Sequence, residues 1–233
     1  MVEGIDTHEL VSTRSRLLDA ARDAFADKGF HGTTTRDISA AAGMSPAAVY
    51  VHHRSKEGML YEISLAGHRD TLDRLQAVPT TDAVEALRRR VHALVLSHAE
   101  AHTTARVVNY ELGALSPEHR AEIDRLRSQI QSTVRDVIEQ GTRDGVFECD
   151  DIDMTANAIM GMAIDVARWY QDPSTGSGRR PSTGSGRRPS TGSGRRPSTG
   201  SGQRERSWPP ERVADHHARM ALRMVGVQPT GSR

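Results

Sequence analysis

The sequence predicts an all-α protein of about nine helices, with a small N-terminal helical module and a larger C-terminal one. Apolar residues recur at the three- and four-residue spacing of a helix face along most of the 233 residues. No stretch alternates apolar and polar residues as a half-buried strand does, and no Asn-Gly hairpin turn occurs. Ser, Thr, Asp, Pro and Gly separate the periodic segments at positions typical of helix ends.

The first helix is predicted over residues 13–28, where an apolar stripe ends near Phe25 and Gly29 follows as a terminator. Residues 1–12 are expected to form a flexible N-terminus. The second helix is predicted to start at Thr35, which would serve as its N-cap.

A glycine-containing turn joins the second helix to a third. Gly43 permits the sharp turn, Ser45 caps the third helix, and Pro46 occupies its first turn, where a missing N–H costs least. Ser55 caps a fourth helix. Two short helices joined in this way over residues 35–52 predict a helix-turn-helix.

The N-terminal domain is predicted to span residues 13–60 and the C-terminal domain residues 61–233. Five further helices are expected in the C-terminal domain, over residues 82–102 and 105–112 and beginning at Ser116-Pro117, Asp151 and Pro209-Pro210.

The helix-turn-helix predicts a DNA-binding surface, because the second helix of such a pair enters a major groove. Pro46, Ala47 and Ala48 are small enough to let the backbone approach base edges. Helix N-termini and polar side chains around them can bind phosphates. The candidate phosphate contacts are Thr34, Thr35, Arg36, Tyr50, His52 and Lys56. For Tyr50, a half-buried core position is the open alternative.

Residues 171–207 contain repeated Pro-Ser-Thr-Gly-Ser-Gly segments and are predicted to form a disordered linker, because this composition offers no apolar face. Residues 173–206 carry eight arginines against Glu205, so the rest of the chain is net acidic although the total charge is +1. Two interpretations stay open. The linker is a tolerated insertion, or it is a basic arm that adds salt-sensitive affinity for DNA without sequence preference.

Composition and motifs exclude several classes. The one cysteine, Cys149, rules out a disulfide within the chain and a zinc site built from cysteines. No signal-peptide pattern or membrane-length apolar run occurs, so we expect a cytoplasmic protein with no membrane partner. No Gly-rich phosphate loop or supported Ser-His-Asp set is present, so neither an enzyme nor a cofactor is expected.

Two stretches resemble the TetR family of transcriptional repressors. They are Gly-Thr-Thr-Thr-Arg-Asp-Ile-Ser-Ala-Ala-Ala-Gly-Met-Ser from Gly32 to Ser45 and Val-Tyr-Val-His-His-Arg-Ser-Lys-Glu-Gly-Met-Leu from Val49 to Leu60. The resemblance implies that phosphates are contacted by Thr35, Tyr50, His52 and Lys56, and that bases are faced by Arg36, Ser45, Ala47 and Ala48. His53 departs from the family, which has an aromatic residue there. It is expected to loosen the junction of the third and fourth helices or to be buried neutral.

The resemblance also implies a ligand-responsive homodimer that reads a near-palindromic operator. The dimer would form through helices 153–170 and 210–225, and the linker would be an insertion between these two helices. Competing hypotheses are a helical small-molecule carrier or enzyme with no operator, and an architectural DNA binder that senses nothing.

The C-terminal domain resembles a TetR subgroup that regulates lipid, sterol or fatty-acid breakdown and responds to acyl-CoA thioesters. Asn109-Tyr110-Glu111 and Ala167-Arg168-Trp169-Tyr170 carry this resemblance. It implies an apolar tunnel with Arg106 or Arg168 near the CoA phosphates. The candidate ligand contacts are His98, His102, Arg106, Tyr110, Arg168 and Trp169.

Plainer structural roles stay open for several of these candidates. The alternative for Trp169 is a position in the core or at an interface. The alternative for His98 and His102 is that of buried histidines with satisfied hydrogen bonds. The same two histidines stand four residues apart and could share a metal, but the His-Glu-x-x-His order is absent and no metal is predicted.

Overall fold

The computed structural model describes residues 7–79, 81–170 and 208–227. Within these ranges every regular element is helical, as predicted. The α-helices are α1 (Thr7–Gly32), α2 (Thr35–Ala41), α3 (Pro46–His52), α4 (Lys56–Gln76), α5 (Ala83–Glu100), α6 (His102–Tyr110), α7 (Pro117–Arg143), α8 (Ile152–Trp169) and α9 (Pro210–Met224). A short 3₁₀ helix over Leu112–Ala114 joins α6 to α7. None of the described helices combines the length and apolarity needed to cross a membrane.

Side-chain caps fix the starts of most helices. Ser45, Ser55, Asp82, Ser116 and Asp151 each accept a hydrogen bond from the backbone N–H three residues further on, at the N-termini of α3, α4, α5, α7 and α8. These residues were identified from the sequence as helix starts because a short polar side chain can satisfy an N–H that the first turn leaves without a partner.

Several helix boundaries differ from the prediction, and among them α5 ends at Glu100, before the predicted residue 102. α1 begins at Thr7, so residues 7–12, expected to be flexible, are helical; no Gly or Pro interrupts the chain between Thr7 and Lys28. Its predicted terminator Gly29 does leave helical geometry, with φ of +72°. The start of α6 at His102 and its end at Tyr110 also precede the predicted 105–112.

The N-cap of α2 is Thr34 and not Thr35. The Thr34 hydroxyl oxygen accepts from the Asp37 N–H at 3.1 Å, and the Asp37 carboxylate accepts from the Thr34 N–H at 2.9 Å. This reciprocal capping box fixes the first turn from both sides, and Thr35, which has no comparable partner three residues on, becomes its first helical residue.

The N-terminal helices share their core with the C-terminal domain. Phe25, Ile38, Val49 and Leu60 pack in one buried cluster. The same cluster contains residues of α6, the 3₁₀ helix and α7, namely Val107, Val108, Leu112, Leu115 and Ile123. The core of the first domain therefore does not close at residue 60.

A second core fills the C-terminal domain. Buried side chains of α5, α7, α8 and α9 form it, with Leu87, Ile138 and Ile159 fully buried. α5 lies at the centre of this bundle and packs against α7, α8 and α9. The predicted linker 171–207, which separates α8 from α9 in sequence, lies outside the described residues.

Candidate DNA-binding surface and effector cavity

The turn between α2 and α3 has the geometry that a helix-turn-helix requires. Gly43 adopts φ of +68°, a conformation that a residue with a Cβ adopts at a cost. The N–H of Met44 donates to the carbonyl oxygen of Ser39 at 2.8 Å. Arg16 on α1 donates through Nη2 to the carbonyl oxygen of Ala42 at 2.9 Å. The turn is therefore held both internally and from α1.

α3 is anchored on one side and open on the other. Val49 is fully buried in the N-terminal core. Ser45, Pro46 and Ala47 are exposed, and Ala48 is half-buried. The first turn of α3 thus presents small side chains to solvent, which leaves room for close approach to another surface.

Polar groups surround α3 in the positions expected for phosphate contacts. Thr34 and Arg36 at the start of α2 are exposed, and Thr35 is half-buried. Tyr50 is 61% exposed, which removes the alternative of a core position. Its hydroxyl lies 3.3 Å from Oγ1 of Thr35, so α2 and α3 present these two groups side by side.

Lys56 has a structural role that the sequence did not predict. Its Nζ donates to the carbonyl oxygens of Phe30 and Thr33, each at 2.7 Å, and lies 4.1 Å from the centroid of the Phe30 ring. The ammonium thereby ties the start of α4 to the end of α1. One of its three N–H groups is left for a phosphate. His52, at the end of α3, is half-buried.

His53 is buried beneath the helix-turn-helix. Its side chain has no exposed surface, and Nδ1 donates to Oε1 of Glu62 at 3.3 Å. Its Nε2 has no hydrogen-bond partner within the described residues. Of the two expectations for this position, burial is the one that the structure shows.

Hydrogen bonds clamp α4 to the C-terminal domain. Oε1 of Glu57 accepts from the Ser116 N–H at 2.9 Å and from Nδ1 of His119 at 2.7 Å. Partial burial works to raise the pKa of Glu57, but these hydrogen bonds outweigh it and hold the pKa below its usual value. Tyr61 stacks on the His119 ring at 3.8 Å and donates to Glu122 at 2.5 Å. These contacts join α7 directly to α4, the helix that follows α3.

A cavity of about 250 Å³ lies between α4, α5, α6, α7 and α8. Its apolar wall consists of Leu94, Val108, Ile130, Met160 and Ile164. Its polar groups include His68, His98, Asn109 and Arg127. A mainly apolar pocket with a few convergent polar groups is typical of a small-molecule site.

The histidines of the cavity are held neutral. Nδ1 of His68 donates to the carbonyl oxygen of Ser64 at 2.7 Å, and Nδ1 of His98 donates to that of Ala163 at 3.1 Å. Burial lowers the pKa of His68, and it lowers the pKa of His98 to about 4.

The buried imidazole of His98 predicts a loss of stability in acid. In the unfolded chain a histidine is protonated near pH 6.5, but in the folded protein His98 is protonated only near pH 4. Because the unfolded state then binds more protons, the free energy of unfolding should fall by about 3 kcal/mol from this group as pH drops from 6.5 to 4. His68 adds in the same direction.

Urea unfolding of the parent and of His98→Asn at several pH values measures this effect. Asn retains a donor near Nδ1 but does not titrate, so its free energy of unfolding should depend less steeply on pH. An equally steep dependence in both proteins would assign the acid sensitivity to other groups.

Of the six predicted ligand contacts, the cavity wall includes only His98. His102 is half-buried on α6, with its ring 5.9 Å from that of Tyr170 and no hydrogen-bond partner for Nδ1 in the described ranges. Arg106 donates to the carbonyl oxygen of Ala26 on α1. Because a bend at Ala101 ends α5 and starts α6, His98 and His102 do not share one helix face as a metal pair would require.

The other three predicted contacts lie on or beside α8. Arg168 forms an ion pair with Asp165 at 2.7 Å. Tyr110 is 46% exposed beside this pair. Trp169 is 41% exposed and stacks on His217 of α9. These residues form a surface outside the cavity.

The cavity residue Arg127 was missed in the sequence, although a signal for it exists. Arg127 lies four residues after Ile123 and three before Ile130, on the apolar stripe of α7. A charged residue on the buried face of an amphipathic helix needs a partner or a function. His68 on α4 was missed as well, and it follows Leu60 and Ser64 on a buried face.

Comparisons with known proteins agree with this geometry. A family model described as bacterial regulatory proteins of the tetR family matches residues 17–63, and one described as a tetracyclin repressor-like C-terminal domain matches residues 80–176. The HTH-type transcriptional repressor KstR2 of Rhodococcus jostii (strain RHA1) is 31% identical over 172 residues, which cover 71% of this chain and 83% of the relative.

Two solved structures have a similar fold. A bacterial regulatory protein in the tetR family from Rhodococcus RHA1 has a TM-score of 0.76 and 35% identity, covering 93% of this chain and 98% of its own. AibR in complex with isovaleryl coenzyme A and operator DNA has a TM-score of 0.69 and 21% identity, covering 91% of this chain and 98% of its own.

Proposed function

We propose, from the premise that this chain belongs to the TetR family of transcriptional regulators, that a small-molecule effector controls its binding to operator DNA. The chain is a KstR2-like transcriptional repressor. We propose further that it binds a near-palindromic operator as a homodimer and that an effector of acyl-CoA type releases it.

The presentation of α3 carries the proposal. Gly43 and the Ser45 cap direct the helix outward, Val49 anchors it, and the exposed Pro46 and Ala47 leave its first turn free of bulk. Such a helix can place its N-terminal residues against base edges in a major groove. The groups of Thr34, Arg36 and Tyr50 beside it have the exposure that phosphate contacts need.

A homodimer through α8 and α9 is supported by large apolar side chains that these helices leave exposed. Met154 is 69% and Met224 37% exposed, although both belong to the amphipathic helices expected at the interface. A two-fold dimer would place two copies of α3 on successive major grooves, about 34 Å apart.

The cavity and its link to α4 support effector control. α4 lines the cavity through His68 and reaches the helix-turn-helix at its other end, where Glu57 is clamped to α7. An effector that binds better to the form with the wrong spacing of recognition helices would lower operator affinity. A tenfold loss needs about 1.4 kcal/mol of differential binding.

An acyl-CoA is the favoured effector class. AibR, which has the same fold, was solved with isovaleryl coenzyme A and operator DNA. The cavity of about 250 Å³ is large enough for a short acyl group, and we propose that the nucleotide part of CoA lies outside it. Arg106 and Arg168 are exposed, and we propose that they contact the CoA phosphates outside the cavity.

Fluorescence anisotropy with DNA from upstream of the chain's own gene tests the function. We expect specific binding with Kd on the order of 10⁻⁸ M or tighter at physiological salt, and unrelated DNA of equal length to bind far more weakly. Octanoyl-CoA should weaken operator binding at least about tenfold. Equal affinity for both DNAs would favour the architectural alternative, and no binding to either would overturn the repressor mechanism.

Tyr50→Ala is expected to weaken operator binding about tenfold, because it removes a hydroxyl placed to donate to a phosphate. Tyr50 is largely exposed, so folding should be unaffected. Tyr110→Ala is the matched control, since it removes an exposed tyrosine that lies on α6, outside the helix-turn-helix. Unchanged operator affinity in Tyr50→Ala would remove this residue from the DNA-binding surface.

A further inference from the structure

The cavity contains a cation that forms no ion pair within the described part of the chain. Arg127 lies half-buried in the cavity wall. The nearest acidic residue along α7 is Asp124, whose carboxylate pairs with Arg120 at 2.9 Å and acts on Arg127 through space, where it partly offsets the cost of burial. A buried charge without a counter-ion is unfavourable unless a ligand or solvent supplies one.

The polar partners of Arg127 are neutral and occupy one corner of its guanidinium. Nη1 donates to Oδ1 of Asn109 at 2.9 Å and to Nε2 of His68 at 3.4 Å. Asn109 is fixed in turn by donating to the carbonyl oxygen of Ala105 at 2.8 Å. Nε and Nη2 of Arg127 have no hydrogen-bond partner in the described ranges. Two adjacent guanidinium N–H groups match the two oxygens of a carboxylate.

The two histidines of the cavity do not supply that anion. His68 and His98 donate through Nδ1 to backbone carbonyl oxygens, so each ring is neutral. Burial lowers the pKa of Arg127 because desolvation disfavours its charged form, and an anion bound to the guanidinium would offset that cost. Leu94, Ile130 and Met160 leave an apolar space beside these groups.

We propose that Arg127 binds a carboxylate of the effector, with a short hydrocarbon body of that effector lying against the apolar wall. This inference rests on the proposed function, and it specifies the chemistry of the group that enters the cavity. Two kinds of molecule supply this chemistry. One is a free carboxylic acid, and the other is a CoA thioester whose acyl chain ends in a free carboxylate.

Isothermal titration of the full protein with two matched pairs of probes distinguishes these sources. Hexanoate and hexanamide have the same chain and head groups of similar shape, of which only the carboxylate is charged, and adipoyl-CoA has a terminal carboxylate where hexanoyl-CoA has a methyl group. We expect the carboxylate member of one pair to bind at least about tenfold more tightly than its neutral partner. The pair that shows this preference identifies the source.

Arg127→Gln should abolish the preference, and Arg125→Gln should retain it. Arg125 is exposed on the same helix and lies outside the cavity, so it controls for the loss of one positive charge on α7. If Arg127→Gln does not fold, the ¹⁵N signal of Nε in the parent replaces it, and the carboxylate probe but not its neutral partner should shift that signal. Equal affinities within both pairs, or a preference that survives Arg127→Gln, would overturn the proposal.

Operator release is measured separately with the same probes. Carboxylate binding without operator release would leave the role of Arg127 intact and refute control by this cavity. Release by a neutral acyl-CoA, with no carboxylate preference, would refute the role of Arg127 and leave the proposed function standing.

Discussion

Ala47→Glu is expected to lower operator affinity by about a hundredfold or more. Ala47 lies exposed on the first turn of α3, at the surface that we propose to enter the major groove. Glutamate there would be too bulky for close approach to the base edges, and it would bring an unpaired negative charge into a groove lined by phosphates. A hundredfold loss corresponds to about 2.7 kcal/mol. Anisotropy titrations with the operator measure it.

Ala121→Glu is the matched control for this experiment. Ala121 is also an exposed alanine within a helix, but it lies on α7, outside the helix-turn-helix of α2 and α3. It should bind the operator as the parent does, and both variants should unfold at the parent's temperature. If Ala47→Glu bound normally, α3 would not be the recognition helix.

Phe25→Ala is expected to lower the free energy of unfolding by about 3–5 kcal/mol. Phe25 is 1% exposed, and its ring centroid lies 5.4 Å from that of Phe30. It belongs to the core cluster that also contains Val107, Val108 and Ile123 of the C-terminal domain. Because total stabilities are about 5–15 kcal/mol, this loss should be felt by the whole protein.

The position of the tryptophans makes the shared core testable. Both tryptophans of the chain, Trp169 and Trp208, belong to the C-terminal domain. In Phe25→Ala, the urea midpoint measured by tryptophan fluorescence and the midpoint measured by circular dichroism should both fall by the same amount. Phe25→Leu, which keeps much of the buried volume, should shift less. A circular-dichroism transition at lower urea, with an unchanged urea midpoint by fluorescence, would mean that the N-terminal helices unfold independently.

Local signals in the sequence were sufficient for the helices and for the exposed first turn of α3. Ser45, Ser55 and Asp151 cap helices where their residue types and the apolar periodicity indicated, because a cap acts within one turn of chain. At the start of α2 the cap was predicted at Thr35, one residue after Thr34, which caps the helix in the structure. The choice between them depended on which one the Asp37 carboxylate could reach.

The residues of the cavity proposed to bind the effector were much harder to predict from the sequence. Its polar groups come from α4, α5, α6 and α7, and their meeting depends on how these helices pack. His98 was predicted and lies in the wall, whereas Arg106 lies outside the cavity and donates to the Ala26 carbonyl on α1. The position of Arg127 on the apolar stripe of α7 indicates that its charge needs a partner but does not identify that partner.

The sequence by itself determined the helices, the glycine turn and the small exposed face of α3, since each depends on residues close together along the chain. Tertiary packing alone decided that α6 and α7 complete the N-terminal core and that Arg127 meets His68 and Asn109. The reason is that these contacts join residues 18 and 59 positions apart in the chain, and helical periodicity tells which face is buried but not what it is buried against.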